Sequence, residues 1–274
     1  MQVIESYICG KENNPATCED GIFIGKHLLA VIDGVTAKGT KLWNNTKSGC
    51  FAKNVLIDAL QKLDDTPDES LLHADALLTR LDTILHDAVT ACNAGVLAIE
   101  EYPRASVLIY NDITKQIISY GDCQCSINEK VYSHVKKIDI LNSDLRAYYL
   151  EYYLQQGMTL AELATNDLGR AAIQENLMLQ FSFENKIGEF GYAVLNGMGI
   201  EPSLMKVYQV HAGDEIILAS DGYPALANSL AKSEAILQHV LRKDPMCFRI
   251  YRCAKGIKDG NISFDDRAYC RVSI

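Results

Sequence analysis

Two apolar strands in this sequence run straight into an aspartate followed by glycine: Leu28-Leu29-Ala30-Val31-Ile32-Asp33-Gly34 and Ile216-Ile217-Leu218-Ala219-Ser220-Asp221-Gly222. A carboxylate at the end of a buried strand is costly unless a cation or hydrogen bonds compensate it. Strands of this kind therefore have to end at a compensated edge of the core. Two acidic pairs hold comparable positions, Glu19-Asp20 before the opening strand and Asp265-Asp266 before the last one. Glycine after aspartate lets the backbone turn sharply and leaves a carbonyl oxygen near the same point. Hard cations such as Mg2+ and Mn2+ take oxygen ligands of this sort and keep several waters. Each Asp-Gly alone is first a turn signal, and Gly121-Asp122 between two strands reads as a hairpin turn. The joint pattern, in a fixed order with consistent strand flanks, carries the metal reading.

The pattern of apolar residues supplies the frame for those motifs. Ile22–Ile24 and His27–Ile32 read as a hairpin closed by Gly25-Lys26. A helix follows over about 47–63, with Phe51, Val55, Ala59 and Leu63 on one face. A second starts at the capping box Thr66-Pro67-Asp68-Glu69 and presents Leu77, Leu81, Ile84, Ala88 and Cys92. A meander is expected over 105–110, 116–120 and 123–127, then helices over about 143–180. A hairpin of 206–211 with 215–219 turns at Ala212-Gly213-Asp214, helices fill about 223–257, and Arg267–Ile274 is the last strand. Helices in pairs between hairpins favour antiparallel sheets with helices outside over a doubly wound sheet. The expected class is α+β, a four-layer α-β-β-α sandwich of two antiparallel sheets flanked by helix pairs.

Composition narrows the function classes. With 274 residues, 48% hydrophobic and 22% charged, the chain can bury a sizeable core, and its longest apolar stretches are far too short to span a bilayer. No repeat, low-complexity run or linker divides it, so one domain over 1–274 is expected. The N-terminus lacks a basic region followed by an apolar core, which argues against a secretory signal. A formal charge of −9 argues against nucleic acid as the main partner. The nine cysteines are scattered without a CxxC pair and the six histidines show no HxH or HxxxH spacing, so reduced thiols in a cytoplasmic protein fit better than a zinc site or a disulfide framework.

The ordered set Glu19-Asp20, Asp33-Gly34, Gly121-Asp122, Ser220-Asp221-Gly222 and Asp265-Asp266 resembles the metal-dependent serine/threonine protein phosphatases of type 2C, as a divergent, bacterial-like member. The resemblance runs from about residue 15 to the C-terminus, is closest at the SDG and terminal DD segments, and is loose over about 130–205. It implies the four-layer sandwich reached independently above. It also implies two ions, Mn2+ or Mg2+. Asp33 bridges them, Glu19 and the Gly34 carbonyl complete one site, and Asp221 and Asp265 serve the other. Asp122, with Asp221, resembles the ligands of a weaker third ion, and Asp266 stands behind the ligands where many relatives have Asn. The implied catalytic residues are Asp33 and Asp221. In the implied mechanism two cations about 4 Å apart acidify a shared water, and the bridging hydroxide attacks phosphorus in line. The expected partner is a phosphorylated protein, without nucleic acid or membrane.

The sequence departs from that family in two places. Many relatives carry an arginine shortly before the Glu-Asp pair to hold the substrate phosphate, whereas KENNPATCED offers only Lys11, further away and a less specific clamp. Eukaryotic relatives have His after Asp-Gly, and this chain has Val35-Thr36. Arg104 is expected as an exposed surface arginine, since arginines mostly are. Two alternatives stay open: a phosphatase-like binding or regulatory module without turnover, and a small-molecule phosphohydrolase.

Overall fold

The computed structural model describes residues 1–36, 38–93 and 95–274. In chain order the elements are β1 Gln2–Cys9, β2 Asp20–Ile24, β3 Leu28–Gly34, α1 Ser48–Asp65, α2 Ala74–Cys92, β4 Ala105–Asn111, β5 Gln116–Tyr120, β6 Gln124–Ile127 and β7 Lys130–Tyr132. There follow α3 Lys137–Gln155, α4 Leu160–Thr165, α5 Leu168–Ala172, α6 Gln174–Leu179, β8 Lys206–Gln209, β9 Glu215–Ala219, α7 Leu230–Lys243 and β10 Arg267–Ser273. The strands form two five-stranded sheets, β1-β10-β9-β6-β7 and β2-β3-β4-β5-β8. Every pairing is antiparallel. This is the expected α+β sandwich.

Side-chain alternation decides what each face packs against. Leu29, Val31, Leu108, Tyr110 and Ile117 point inward from the second sheet and meet Cys125, Ile216, Leu218, Cys270 and Val272 of the first. Their neighbours Leu28, Ala30, Ile32, Val107, Ile109 and Ile118 point outward, against Phe51, Leu56, Leu60, Leu77, Leu81 and Leu85 of α1 and α2. β3 is thus buried on both faces, which explains why its sequence is an unbroken apolar run without strand alternation. On the outer face of the first sheet, Ile217, Ala219 and Tyr269 pack with Tyr223, Leu226 and Leu230 at the start of α7. Glu234 of α7 accepts from the Tyr223 hydroxyl at 2.8 Å and from Arg267 Nε at 2.7 Å. α3 to α5 build a separate apolar cluster around Ala147, Leu150 and Leu163, closed by Met246 and Phe248. Among the described residues no helix is long and apolar enough to cross a membrane.

Several local expectations change. β1 carries no strong sequence signal, yet it pairs with β10 along its whole length as an edge strand. Its burial alternates only weakly, because one edge strand on a sandwich rim has little core to cover. The second helix does not begin at Pro67; Asp68 caps a short 3-10 turn over Glu69–Leu72, and α2 starts at Ala74. Cys92 is exposed at its end. Of the helices expected over 223–257 only Leu230–Lys243 forms. Two expected hairpins are crossovers: β5 and β6 belong to different sheets, and so do β8 and β9. Gly121 makes the first crossing possible, with φ +123° and a backbone so close to Ser106 that a Cβ would lie 2.3 Å from its hydroxyl. The step between sheets is what brings Asp122 to the same end of the sandwich as Asp33.

Candidate metal centre

The strand-end carboxylates gather where the two sheets part. Asp20 and Asp33 are direct partners across the β2–β3 ladder, and Asp33 is opposite Ser106 of β4. The Ser106 hydroxyl donates to Asp122 Oδ1 at 2.5 Å, tying the crossover to that strand. From the other sheet, Asp221 follows β9 and Asp266 precedes β10, with the Ser220 amide donating to the Ala268 carbonyl at 3.0 Å. Asp33, Asp122, Asp221 and Asp265 all line one cavity of about 280 Å³. Glu19 and Gly34 lie to one side of it. There the Gly34 amide donates to the Glu19 carbonyl at 3.0 Å. Glu19 Oε1 and the Gly34 carbonyl both press on Gly49 at the first turn of α1, where a Cβ would sit 2.7 and 2.8 Å from them.

Three lysines divide these acids into neutralised and unneutralised groups. Lys11 Nζ donates to Glu19 Oε2 at 2.9 Å, Asp266 Oδ2 at 3.1 Å and Thr36 Oγ1 at 3.1 Å, and lies 3.4 Å from Asp265 Oδ1. Lys255 pairs with the other Asp265 oxygen. Lys136 pairs with Asp122 Oδ2 at 2.6 Å. Burial works to raise the Asp265 carboxyl, but Lys255 and Lys11 outweigh it and hold the group below the usual range. The same balance, with Lys136 and the Ser106 hydrogen bond winning over burial, holds Asp122 down.

Asp33 and Asp221 differ in kind. Neither side chain makes a hydrogen bond or ion pair with any described residue. Burial, then repulsion from Asp221 and Asp20, raises Asp33 well above an ordinary carboxylate. Burial, then repulsion from Asp265 and Asp122, raises Asp221 to about 7. Asp20, 4% exposed, is also raised, chiefly by burial, and its Oδ2 is buried without a partner, as is Oε1 of Glu19. Among the described residues no three His, Cys, Asp or Glu side chains close around one point as a ready-made ion site. The donor set nevertheless suits a hard divalent cation, which needs only one or two carboxylates and completes its shell with water. Asp33 and Asp221 are the pair left for it, with the unpartnered oxygen of Asp20 behind them.

Bases line the same cavity, some of them paired with its acids. Lys38, Lys136, Arg170 and Lys255 all line it. Burial, then the positive charges of Arg170 and Lys255, lowers Lys38 to about 7. Arg170 is anchored by donating to the Ala254 carbonyl at 2.6 Å. Its neighbourhood is set by Arg146, fully buried, which pairs with Asp167 at 2.7 Å and donates to the carbonyls of Cys247 and Cys253. A negatively charged group entering this cavity meets both these cations and the unneutralised aspartates.

Sequence reasoning places the acids correctly at one end of the sandwich and misses the bases. Lys11 is no distant clamp: the turn over Gly10–Asn13 and the Lys11 amide bond to Asp266 Oδ1, at 2.7 Å, deliver its ammonium into the acidic cluster. Lys38, Lys136 and Lys255 stand in loops or at a helix start, with no periodic pattern to mark them; only the position of Lys38 just past Asp33-Gly34 offers a hint. Arg104 is not exposed. It is 3% accessible, ion-paired with Glu184, and donates to the carbonyls of Tyr102 at 2.7 Å and Ile99 at 2.6 Å. Its role is to brace the loop before β4.

No protein-family model matches the sequence, and no curated protein matches it. Solved structures do share its architecture. The Mycobacterium tuberculosis serine/threonine phosphatase PstP/Ppp superposes with a TM-score of 0.53 at 16% identity, over 99% of this chain and 98% of that one. The catalytic domain of the phosphatase PstP in complex with two manganese ions gives 0.52 at 15% identity, over 99% and 98%. Stp1 from Staphylococcus aureus, also a serine/threonine phosphatase, gives 0.52 at 14% identity, over 100% and 95%. With superposition over nearly the whole of both chains in each case, this chain has the fold of the bacterial serine/threonine phosphatases.

Proposed function

We propose that the chain is a metal-dependent phosphatase that hydrolyses phosphate monoesters, with phosphoserine or phosphothreonine on a protein as its substrate class. The observation that carries this reading is that two unneutralised carboxylates, Asp33 and Asp221, line the same cavity as Lys38, Arg170 and Lys255. Mn2+ or Mg2+, which Asp33 and Asp221 would hold, would supply a Lewis acid for phosphoryl oxygens and lower the pKa of a water. The chain's own residues do the rest. Arg170 and Lys255 present positive charge to the equatorial phosphoryl oxygens, on which negative charge resides through the transfer. Lys38, poised at about 7, carries a proton near neutrality that the departing alkoxide oxygen can take. Asp122, fixed by Ser106 and Lys136, holds the lysine that borders the cavity mouth. The chemistry needs no protein nucleophile.

The test is release of phosphate from an aryl phosphate and from phosphoserine and phosphothreonine peptides, with and without Mn2+, using Asp33→Asn as the control. Mn2+-dependent hydrolysis of the peptides, lost in Asp33→Asn, is the expected result. Hydrolysis of the aryl phosphate and of phosphorylated metabolites alone turns the assignment toward a small-molecule phosphohydrolase. No hydrolysis of any of them, with or without Mn2+, leaves a binding module and sinks the enzyme reading.

A further inference from the structure

We propose that the ammonium of Lys11 is a built-in cation of this centre, taking the place between Glu19, Asp265 and Asp266 that a second metal ion would need, so that the chain binds one divalent ion and not two. The inference rests on the reading of Asp33 and Asp221 as a cation site, and it concerns the other half of the acidic cluster. Lys11 Nζ has four oxygen neighbours, three of them carboxylate: Glu19 Oε2 at 2.9 Å, Asp266 Oδ2 at 3.1 Å, Thr36 Oγ1 at 3.1 Å and Asp265 Oδ1 at 3.4 Å. An ammonium has three protons, so this shell saturates it.

The oxygens that face Lys11 have little capacity left, although Glu19 Oε1, turned from it, has no partner among the described residues. Glu19 Oε2 also accepts from Thr36 Oγ1 at 2.8 Å, and Asp266 Oδ2 from the Glu19 amide at 3.1 Å. Asp265 is held at its second oxygen by Lys255. Nor is Lys11 a long side chain that happens to reach over. Its side chain is 11% exposed, and its own amide is bound by Asp266 Oδ1 at 2.7 Å. Asp266 thus grips the backbone with one oxygen and the ammonium with the other. A divalent ion seated on Glu19 and Asp265 has to displace a buried, pinned cation of the same sign or sit beside it against repulsion. Asp33 and Asp221 present no such obstacle, since no described residue pairs with either.

The number of ions can be read without turnover. The metal-stripped full chain is titrated with Mn2+ by calorimetry, and the bound ion is examined by electron paramagnetic resonance, in which an isolated Mn2+ and an exchange-coupled pair give different spectra. Wild type is expected to bind one equivalent with an isolated-ion spectrum. Lys11→Met is expected to bind two with a coupled spectrum, and Lys11→Arg, which keeps the charge, one. Two equivalents of comparable affinity in wild type overturn the proposal while leaving the cation reading intact, and so does a folded Lys11→Met that binds only one. No Mn2+ bound by wild type overturns the cation reading and this inference with it. Should Lys11→Met fail to fold, the wild-type stoichiometry and spectrum decide the count alone.

Discussion

Asp20 and Asp33 stand directly opposite one another in the β2–β3 ladder, two acids on one face of a buried sheet edge. Like charges directly opposite destabilise a strand pair, by up to about 1 kcal/mol. Without a cation, removing the charge of Asp33 relieves that repulsion and the repulsion from Asp221. Asp33→Asn is therefore expected to melt a few degrees above the metal-free wild type, about 2–4 °C for each kcal/mol recovered. The same variant should lose the stabilisation that Mn2+ gives the wild type. Thermal denaturation of both chains, with chelator and with Mn2+, reads both effects. A variant that melts lower without metal contradicts the picture of an electrostatically strained edge.

Lys38 is expected to make sulfate binding depend on pH. Burial and the charges of Arg170 and Lys255 lower it to about 7, against an ordinary value of 10.5. Below 7 the folded and unfolded chains both hold this proton. Between 7 and 10.5 the unfolded chain keeps it and the folded chain has shed it, so the contribution of Lys38 to stability rises with pH across that window. Anion binding runs the opposite way, because the charged form is the one that attracts. Sulfate, whose charge is constant over this range, should bind about tenfold more weakly at pH 8.5 than at pH 6, the size of a charge-assisted hydrogen bond. Lys38→Met should make the profile shallower, leaving the part due to Asp221, which is raised to about 7 in the same cavity. An unchanged pH dependence in that variant places the titrating group elsewhere.

Arg104 holds Glu184 with both side chains 3% exposed, far from the role of a surface arginine. Glu184 also accepts from Asn196 Nδ2 at 3.0 Å, so the pair joins the loop before β4 to the segment that leads toward β8. Removing one partner of a buried pair costs about 3–5 kcal/mol, since the other charge is left uncompensated. Arg104→Leu should lower the unfolding free energy read from urea denaturation by that amount, and Arg104→Leu with Glu184→Leu should recover much of it. A raised KM with unchanged stability would instead mark Arg104 as a substrate contact.

Arg146 acts on the cavity from a distance. Its guanidinium, fully buried, links α3 to Asp167 and to the carbonyls of Cys247 and Cys253, two residues before Lys255. Arg146→Lys keeps a charge and loses the planar fork that serves several acceptors at once. The expected outcome is a modest loss of stability, about 1–3 kcal/mol for the acceptors left unpaired, and a weakened Lys255–Asp265 pair. Hydrogen exchange over 247–256 should rise relative to the central strands. Uniform exchange changes across the molecule would argue against a local brace.

The parts of this molecule legible in the sequence are those governed by burial. β3 and β9 announce themselves because an apolar run ending in aspartate has few places to go, and the pairing of α1 and α2 follows from their apolar faces. The sheet to which each strand belongs is harder. Gly121-Asp122 looks the same whether the chain turns back on itself or steps to the other sheet, and only the contact of Gly121 with Ser106 separates the two. The cations are hardest of all. Lys11, Lys136 and Lys255 meet their acids through side chains from loops and a helix start that carry no periodic pattern, and for Lys11 and Asp265 the partners are 254 residues apart. Arg104 misleads for a related reason: its partner Glu184 comes from the loosely patterned middle segment.

The central claim is that Asp33 and Asp221 hold a divalent cation at the cavity floor. It is tested most directly by anomalous diffraction from crystals of the full chain soaked in Mn2+, collected at the manganese edge. The account predicts a peak in contact with both carboxylates, absent in Asp33→Asn crystals treated alike. A peak confined to other residues, or no peak with both aspartates well ordered, would contradict it.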